Sequence, residues 1–331
     1  MGFWDGRRTL VTGAGGFIGG HLAVALSQAG ASVRGLCRYN SRGDRGTLDW
    51  GSEEEIEGIE VQFGDLRDPE SIQRAMSGVE VAFHLAAQIA IPYSYLNPRD
   101  FFETNVGGTL NVAQAALAAD VGRVVHLSTS EIYGAASAFP ITEQAVAAPR
   151  SPYAASKVGA DAVMTGWHAS FGLPVVTARP FNTYGPRQSA RAIVPTIITQ
   201  ALSGAAVRLG SLHPRRDLTF VSDTVSGLIA IAVAGDDVLG RTLQLGSAED
   251  VSIGELVALV GELTGHELAV VLDPERVRPT TSEVPRLVCD HSLTTELTGW
   301  TPAVDLRSGV RRTLEWMSVN AHRYRPSDYA R

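Results

Sequence analysis

Lysine is almost missing from this chain: of 28 lysines and arginines in 331 residues, only Lys157 is a lysine. A genome that favours arginine codons explains the scarcity but not the one survivor. The guanidinium is planar and bulky and cannot replace a compact ammonium, so Lys157 is a candidate functional residue before any motif is considered. Cysteine is scarce as well. Cys37 and Cys289 cannot build a disulfide scaffold, and neither sits in a ligand cluster, so no metal site is expected. No apolar run approaches the ~18–20 residues of a membrane span, which excludes a membrane partner. The opening Met-Gly-Phe-Trp-Asp-Gly-Arg-Arg has no signal-peptide pattern, so a cytoplasmic protein is expected. A net charge of −7 lacks the positive excess of a general nucleic-acid binder.

What is present is enough apolar residue, 44% against 19% charged, to bury a sizeable interior. At ~150 residues per domain the length suggests two. The first half alternates strand-length apolar runs with helical periods. Strands are expected at Arg8–Thr12, Ser32–Arg38, Gly58–Phe63, Val79–Leu85, Val121–Leu127 and Leu173–Arg179. Helices are expected at Phe17–Gln28, from near Pro69, at Asp100–Ala119 and at Ser151–Phe171. This rhythm implies an α/β fold, a Rossmann-like doubly wound parallel sheet with helices on both faces. After Pro180 the pattern breaks into a polar loop, a helix at Ala192–Leu202 and a short strand at Val207–Leu209. Leu218–Ser222 and Thr224–Ala234 resemble a return to the main sheet. From Ser252 come two helices, a strand at Leu268–Leu272, an arginine- and proline-containing loop at Arg276–Arg286 and a last helix at Leu306–Asn320. The expected division is a dinucleotide-binding domain, 1–180 with 215–247 returning to it, and a smaller discontinuous α/β lobe, 181–214 with 248–331.

Between the first strand and first helix lies Thr12-Gly13-Ala14-Gly15-Gly16-Phe17-Ile18-Gly19. Gly13 permits the tight turn, Gly16 lets backbone amides approach a pyrophosphate, and Gly19 lets helix pack close to strand, with the helix N-terminus facing the phosphates. The second strand ends without the carboxylate that usually holds the ribose 2′-hydroxyl of NAD. It runs instead into Arg38, Tyr39, Asn40, Ser41 and Arg42, where arginine can receive a 2′-phosphate, so a tightly bound NADP is favoured over NAD. Asp65-Leu66 can hold the adenine edge, and Leu85-Ala86-Ala87 can let the cofactor pass closely. Ordinary strand-end packing accounts for both equally well.

Tyr153 and Lys157 are four apart on one helix, so phenol and ammonium share a face. The cation is expected to lower the tyrosine pKa and make a usable base, while the lysine also bonds the cofactor ribose. After the fifth strand, at the ligand-binding edge of such sheets, comes Ser128-Thr129-Ser130-Glu131. There Thr129 can bond a substrate oxygen and Glu131 can take a proton from carbon; a turn-stabilising cluster is the plainer alternative.

Together the glycine turn, Thr129, Tyr153/Lys157 and Arg179-Pro180-Phe181-Asn182-Thr183-Tyr184-Gly185-Pro186 resemble the extended short-chain dehydrogenase/reductases that act on nucleotide sugars, over essentially the whole chain. Within them, Val33 to Arg38, Thr129-Ser130-Glu131, Arg278-Pro279 and Glu283-Val284 resemble the GDP-mannose 4,6-dehydratases. Arg38-Tyr39-Asn40-Ser41-Arg42, Ile89 to Tyr95 and Pro186 to Arg191 are similar to the nucleotide-activated N-acetylglucosamine 4,6-dehydratases of legionaminic acid biosynthesis.

The resemblance implies an internal redox dehydration of a nucleotide-diphosphate hexose, UDP- or GDP-N-acetylglucosamine. Tyr153 would deprotonate the C4 hydroxyl, Thr129 steady the C4 oxygen and Glu131 remove the C5 proton. Ser130 stands where dTDP-glucose 4,6-dehydratases carry an aspartate acid, which leaves protonated Glu131 or Tyr153 to protonate the departing C6 hydroxyl. Pro180 would border the cofactor and Ser94 the sugar. Arg216 and Arg278 would bind the pyrophosphate, with an amide from Asn182. Arg187 and Arg191 would order a loop or meet the base, and Leu209 would pack on the base. A homodimer through the Asp100–Ala119 and Ser151–Phe171 helices is implied. The rival readings are a hexuronic acid decarboxylase, a C4 epimerase and, outside enzymes, a catalytically silent dinucleotide sensor.

Overall fold

The computed structural model describes residues 2–276 and 282–324. Its strands run in chain order as β1 Arg8–Thr12, β2 Ser32–Arg38, β3 Glu60–Gly64, β4 Val81–His84, β5 Arg123–Leu127, β6 Val175–Pro180, β7 Asn182–Tyr184, β8 Val207–Leu209, β9 Arg215–Phe220, β10 Thr242–Leu245, β11 Asp250–Ser252, β12 Val270–Leu272 and β13 Arg286–Leu287. Seven of them make the main sheet, in the spatial order β3-β2-β1-β4-β5-β6-β10, with every pairing parallel. Helices cover both faces, which is why its strands read as near-continuous apolar runs. Leu10, Val11, Phe83, Val124 and Val176 have no exposed surface. One face packs on the Phe17–Gln28 and Val221–Val233 helices, the other on Pro69–Met76, Gly108–Ala118 and Pro152–Phe171. Strand order reverses at β1, with β2 on one side and β4 on the other, so a crevice opens beyond the carboxyl ends of these strands.

The second lobe is built on a small sheet in which β9 lies between β11 and β13, with β7 also paired to β9; β8 and β12 pair separately. Here two expectations are corrected. The segment around Leu218 does not return to the main sheet. It belongs to β9, which three short strands claim and which charged side chains lock through Arg215 and Arg286 on Asp250. The chain rejoins the main sheet only through the Val221–Val233 helix and β10. A single helix, Ile253–Thr264, separates Ser252 from β12, and the next, Ser292–Thr298, follows β13.

The Pro152–Phe171 helix has clear local causes. The Ser151 hydroxyl accepts from the Ala154 amide (3.1 Å), Pro152 occupies the first turn, and Gly172 ends it at φ 71°. The helix expected at Asp100–Ala119 starts at Pro98 and contains a π-helical turn, Phe102–Gly107. That turn carries Asn105, whose amide group spans the Gln88 backbone (2.7 and 3.0 Å) and the Ser156 hydroxyl (2.9 Å), tying a crevice loop to the Pro152–Phe171 helix. No described helix is long and apolar enough to cross a membrane.

Candidate active site

The turn after β1 is as tight as its glycines imply. Gly13 sits at φ 76°, and a Cβ there would lie 2.9 Å from the backbone of Ala86. A Cβ on Gly19 would run into the Gly13 carbonyl oxygen, backbone against backbone. Gly19→Ala is therefore expected to cost about 1–3 kcal/mol of stability and to weaken dinucleotide retention; denaturant unfolding with an unchanged midpoint would contradict this packing.

Above the turn lies a cavity of about 530 Å³ at the carboxyl ends of β1 to β5. Gly13, Gly16, Phe17, Ile18 and Gly19 form its floor; Arg38 and Arg42 border one end, and Asp65, Leu66, Leu85, Ala86 and Ala87 border the rest. The glycine cradle and the volume of the cavity fit a nicotinamide dinucleotide. Arg38 and Arg42 are exposed, and the turn between them is set by Asn40, whose side-chain oxygen accepts from the amides of Arg42 (3.1 Å) and Asp44 (3.0 Å). Ser41 is exposed but does not line the cavity, nor does Pro180, which is buried at the end of β6. Asp65 is paired with Arg67 through both oxygens (2.9 and 2.6 Å), which holds its carboxyl below the usual range.

Beyond Leu127, which lines the cavity, the chain turns through the short helix Ser130–Tyr133. Thr129 caps it, accepting from the Glu131 amide (3.3 Å), and also hydrogen-bonds the Tyr153 phenol. Glu131 is half-buried and its charge acts on that phenol; Ser130 is buried, at 2% exposure. Lys157 is 4% exposed and donates to the Leu127 carbonyl (2.7 Å). The structure thus brings Thr129, Glu131, Tyr153 and Lys157 to one place at the end of β5.

The expected lowering of the Tyr153 pKa is corrected. Burial raises it; the Thr129 bond lowers it only in part, and the carboxylates of Glu131 and Asp161 raise it further. The ammonium does not offset this, because it is turned onto the Leu127 carbonyl. Burial in turn lowers Lys157 to about 8, with Asp161 pulling the other way.

On the substrate side the structure separates the candidates. Asn182 opens β7, and its side-chain oxygen is buried with no hydrogen-bond partner among the described residues. Arg216 is 7% exposed, donating to the Arg215 carbonyl (2.9 Å) and lying 3.6 Å from Glu283. Arg191 is exposed beside Ser189. Arg278 lies outside the described residues. Two readings are corrected. Ser94 has no exposed surface, and its hydroxyl is spent on the Ile91 carbonyl (2.7 Å). Leu209 is 2% exposed inside the core. Arg187 pairs with Glu55 (2.5 Å), which fits the loop-ordering alternative of its two expected roles.

The sequence reading missed the polar cluster behind Lys157. His84 and His126, register partners on β4 and β5, stack with ring centroids 5.4 Å apart. Asp161 and Arg179 meet at 2.8 Å, and Arg179 reaches the Tyr133 hydroxyl (2.7 Å), which also accepts from Gln244 (2.6 Å). The available signal was spacing: Tyr153, Lys157 and Asp161 repeat every four residues along one helix.

Comparison with known proteins places this geometry. A family model described as GDP-mannose 4,6 dehydratase matches residues 10–313. The dTDP-glucose 4,6-dehydratase of Streptomyces griseus is 32% identical over 330 residues, covering 93% of each chain. The UDP-glucose 4-epimerase of Mycolicibacterium smegmatis is 34% identical over 322 residues, covering 93% of this chain and 98% of its own. The solved structure of the dTDP-glucose 4,6-dehydratase from Streptomyces venezuelae, with NAD bound, superposes at a TM-score of 0.84 with 31% identity, covering 97% of this chain and 99% of that one.

Proposed function

The chain belongs to the GDP-mannose 4,6-dehydratase family, and from that premise we propose that it is a nucleotide-hexose 4,6-dehydratase, acting on UDP- or GDP-activated N-acetylglucosamine. The observation that carries this reading is the placement of Glu131 beside the Thr129-bonded phenol of Tyr153. A C4 epimerase needs a base only at the C4 oxygen, whereas dehydration needs a second one for carbon C5.

Gly13, Gly16 and Gly19 would hold a nicotinamide dinucleotide, which would supply reversible hydride acceptance between C4 and C6. Tyr153 takes the C4 hydroxyl proton while Thr129 donates to the developing carbonyl oxygen. The ketone so formed acidifies C5–H, and Glu131 removes that proton. Glu131 then gives it to the C6 hydroxyl, which leaves as water. A proton returned to C5 balances the one lost from the C4 oxygen, and the product is a 4-keto-6-deoxy sugar nucleotide. Lys157 orients the ribose. Asn182, through its side-chain N–H, and Arg216 and Arg278 bind the diphosphate.

Arg38 and Arg42 at the cavity rim favour NADP. Replacing either by alanine is expected to raise the Kd for NADPH about tenfold to a hundredfold while moving that for NADH by less than about twofold. Equal losses for both would remove the 2′-phosphate role. Exposed Phe102 and Leu117 on the 102–118 stretch and Phe171 at the end of the Pro152–Phe171 helix support a homodimer through these two helices. Both cysteines are buried free thiols, as suits a reducing cytoplasm. Incubation with UDP- and GDP-N-acetylglucosamine followed by mass spectrometry tests the reading. Loss of one water supports it, a chromatographically distinct isomer of unchanged mass identifies an epimerase, and, with a nucleotide hexuronate supplied in parallel, loss of carbon dioxide identifies the decarboxylase.

A further inference from the structure

Two cationic side chains are buried behind the active site: Lys157 at 4% exposure, on the Pro152–Phe171 helix, and Arg179 at 7%, on β6. A buried charge is tolerated only with a buried partner. The groups around Lys157 come from every element packed on it. Tyr153 and Asp161 lie on its own helix, His84 on β4, His126 on β5, Arg179 on β6, and Glu131 on the short helix after β5. The histidines give no compensation. Burial lowers both, and His126, whose Nε2 meets the Asp161 carboxylate (3.1 Å) and so carries the proton, is a neutral donor with a bare Nδ1. Glu131 acts on Tyr153.

Asp161 is different. It follows Lys157 by one helical turn and collects three donors: His126 on β5, the hydroxyl of Ser128 just beyond that strand (2.6 Å) and the Arg179 guanidinium on β6 (2.8 Å). Ser128 directly follows Leu127, whose carbonyl receives the Lys157 ammonium. The carboxylate therefore joins the helix that carries Tyr153 to the strand end that carries Thr129.

We infer that Asp161 is a positioning residue for the Tyr153/Lys157 pair: its buried carboxylate, bonded to Ser128, His126 and Arg179, fixes the helix against the ends of β5 and β6 and so holds the sole lysine, one turn before it, on the Leu127 carbonyl. This rests on Tyr153 as the base, the role assigned to it above. The carboxylate itself stays ionised. Burial pushes it up, but the His126 bond and the charges around it, Arg179 and Lys157 included, hold it well below the usual range.

The single lysine makes the test direct, because the full chain grown on isotope-labelled lysine gives one side-chain resonance. In the wild type that resonance is expected to titrate near pH 8. In Asp161→Asn its midpoint should fall by on the order of one to two pH units, while Asp161→Glu should stay within about half a unit of wild type. The alkaline limb of the pH profile for C4 oxidation should move down with it; a merely structural role would lower the rate at all pH values and leave the limb in place. A folded Asp161→Asn with an unmoved lysine midpoint overturns the inference. Should that variant not fold, an Asp161→Glu midpoint about one unit or more below wild type overturns it equally. The titration needs no substrate, so a wild type that dehydrates nothing would sink the proposed function while leaving this assignment standing.

Discussion

Tyr153→Phe is expected to fall at least about a thousandfold in turnover and to develop no reduced-nicotinamide absorbance with any nucleotide hexose. The phenol is 8% exposed and hydrogen-bonded to Thr129, and phenylalanine keeps its shape while deleting the oxygen. Folding should survive, because the ring still packs edge-on against Phe101, with centroids 6.3 Å apart. The loss is thus chemical, at the first step, and no intermediate should accumulate. Because burial holds this phenol protonated in the chain alone, its deprotonation depends on positive charge brought to the site. The variant should therefore still bind substrate and dinucleotide with near wild-type affinity. A Tyr153→Phe enzyme that still reduces the cofactor would transfer the base role to another group.

Glu131→Gln separates the second half of the reaction from the first. Oxidation at C4 uses Tyr153 and Thr129, so reduced nicotinamide should appear at close to the wild-type rate. Removal of the C5 proton has no other carboxylate beside Tyr153 and Thr129 in the sequence segment 129–133, so release of water should drop by about a hundredfold or more. The signature is a persistent reduced cofactor with a 4-keto sugar that retains its C6 hydroxyl. Glutamine keeps the volume and the amide of residue 131 still bonds Thr129, so the short helix should remain. Ser130 carries no carboxyl that could take over as the acid. Normal dehydration by this variant would remove Glu131 from the mechanism.

Local geometry was the part of this protein most legible in sequence. The Gly13–Gly19 turn could be read because close backbone approach leaves no room for a Cβ, and that requirement is written in residue type. Six of the seven main-sheet strands were equally plain, since burial on both faces demands unbroken apolar runs, while β10 was not read. Features fixed by distant partners were not. Arg187 looked like an available cation because Glu55, 132 positions away, is invisible to spacing. Leu218 seemed to rejoin the main sheet because nothing local announces that β7, β11 and β13 converge on β9. Lys157 stood out by rarity, but its effect on Tyr153 was misjudged, since the Leu127 carbonyl that captures it lies on another element. Asp161 showed its helical spacing and was passed over, because its meaning comes from β5 and β6.

The most direct test of internal redox dehydration is the fate of a deuterium placed at C4 of the sugar in UDP- or GDP-N-acetylglucosamine. The account predicts a product that has lost one water and carries the deuterium on its new C6 methyl group, with no net change in the cofactor. Deuterium found back at C4 of an isomerised sugar, or lost to solvent or to free reduced cofactor, would contradict it.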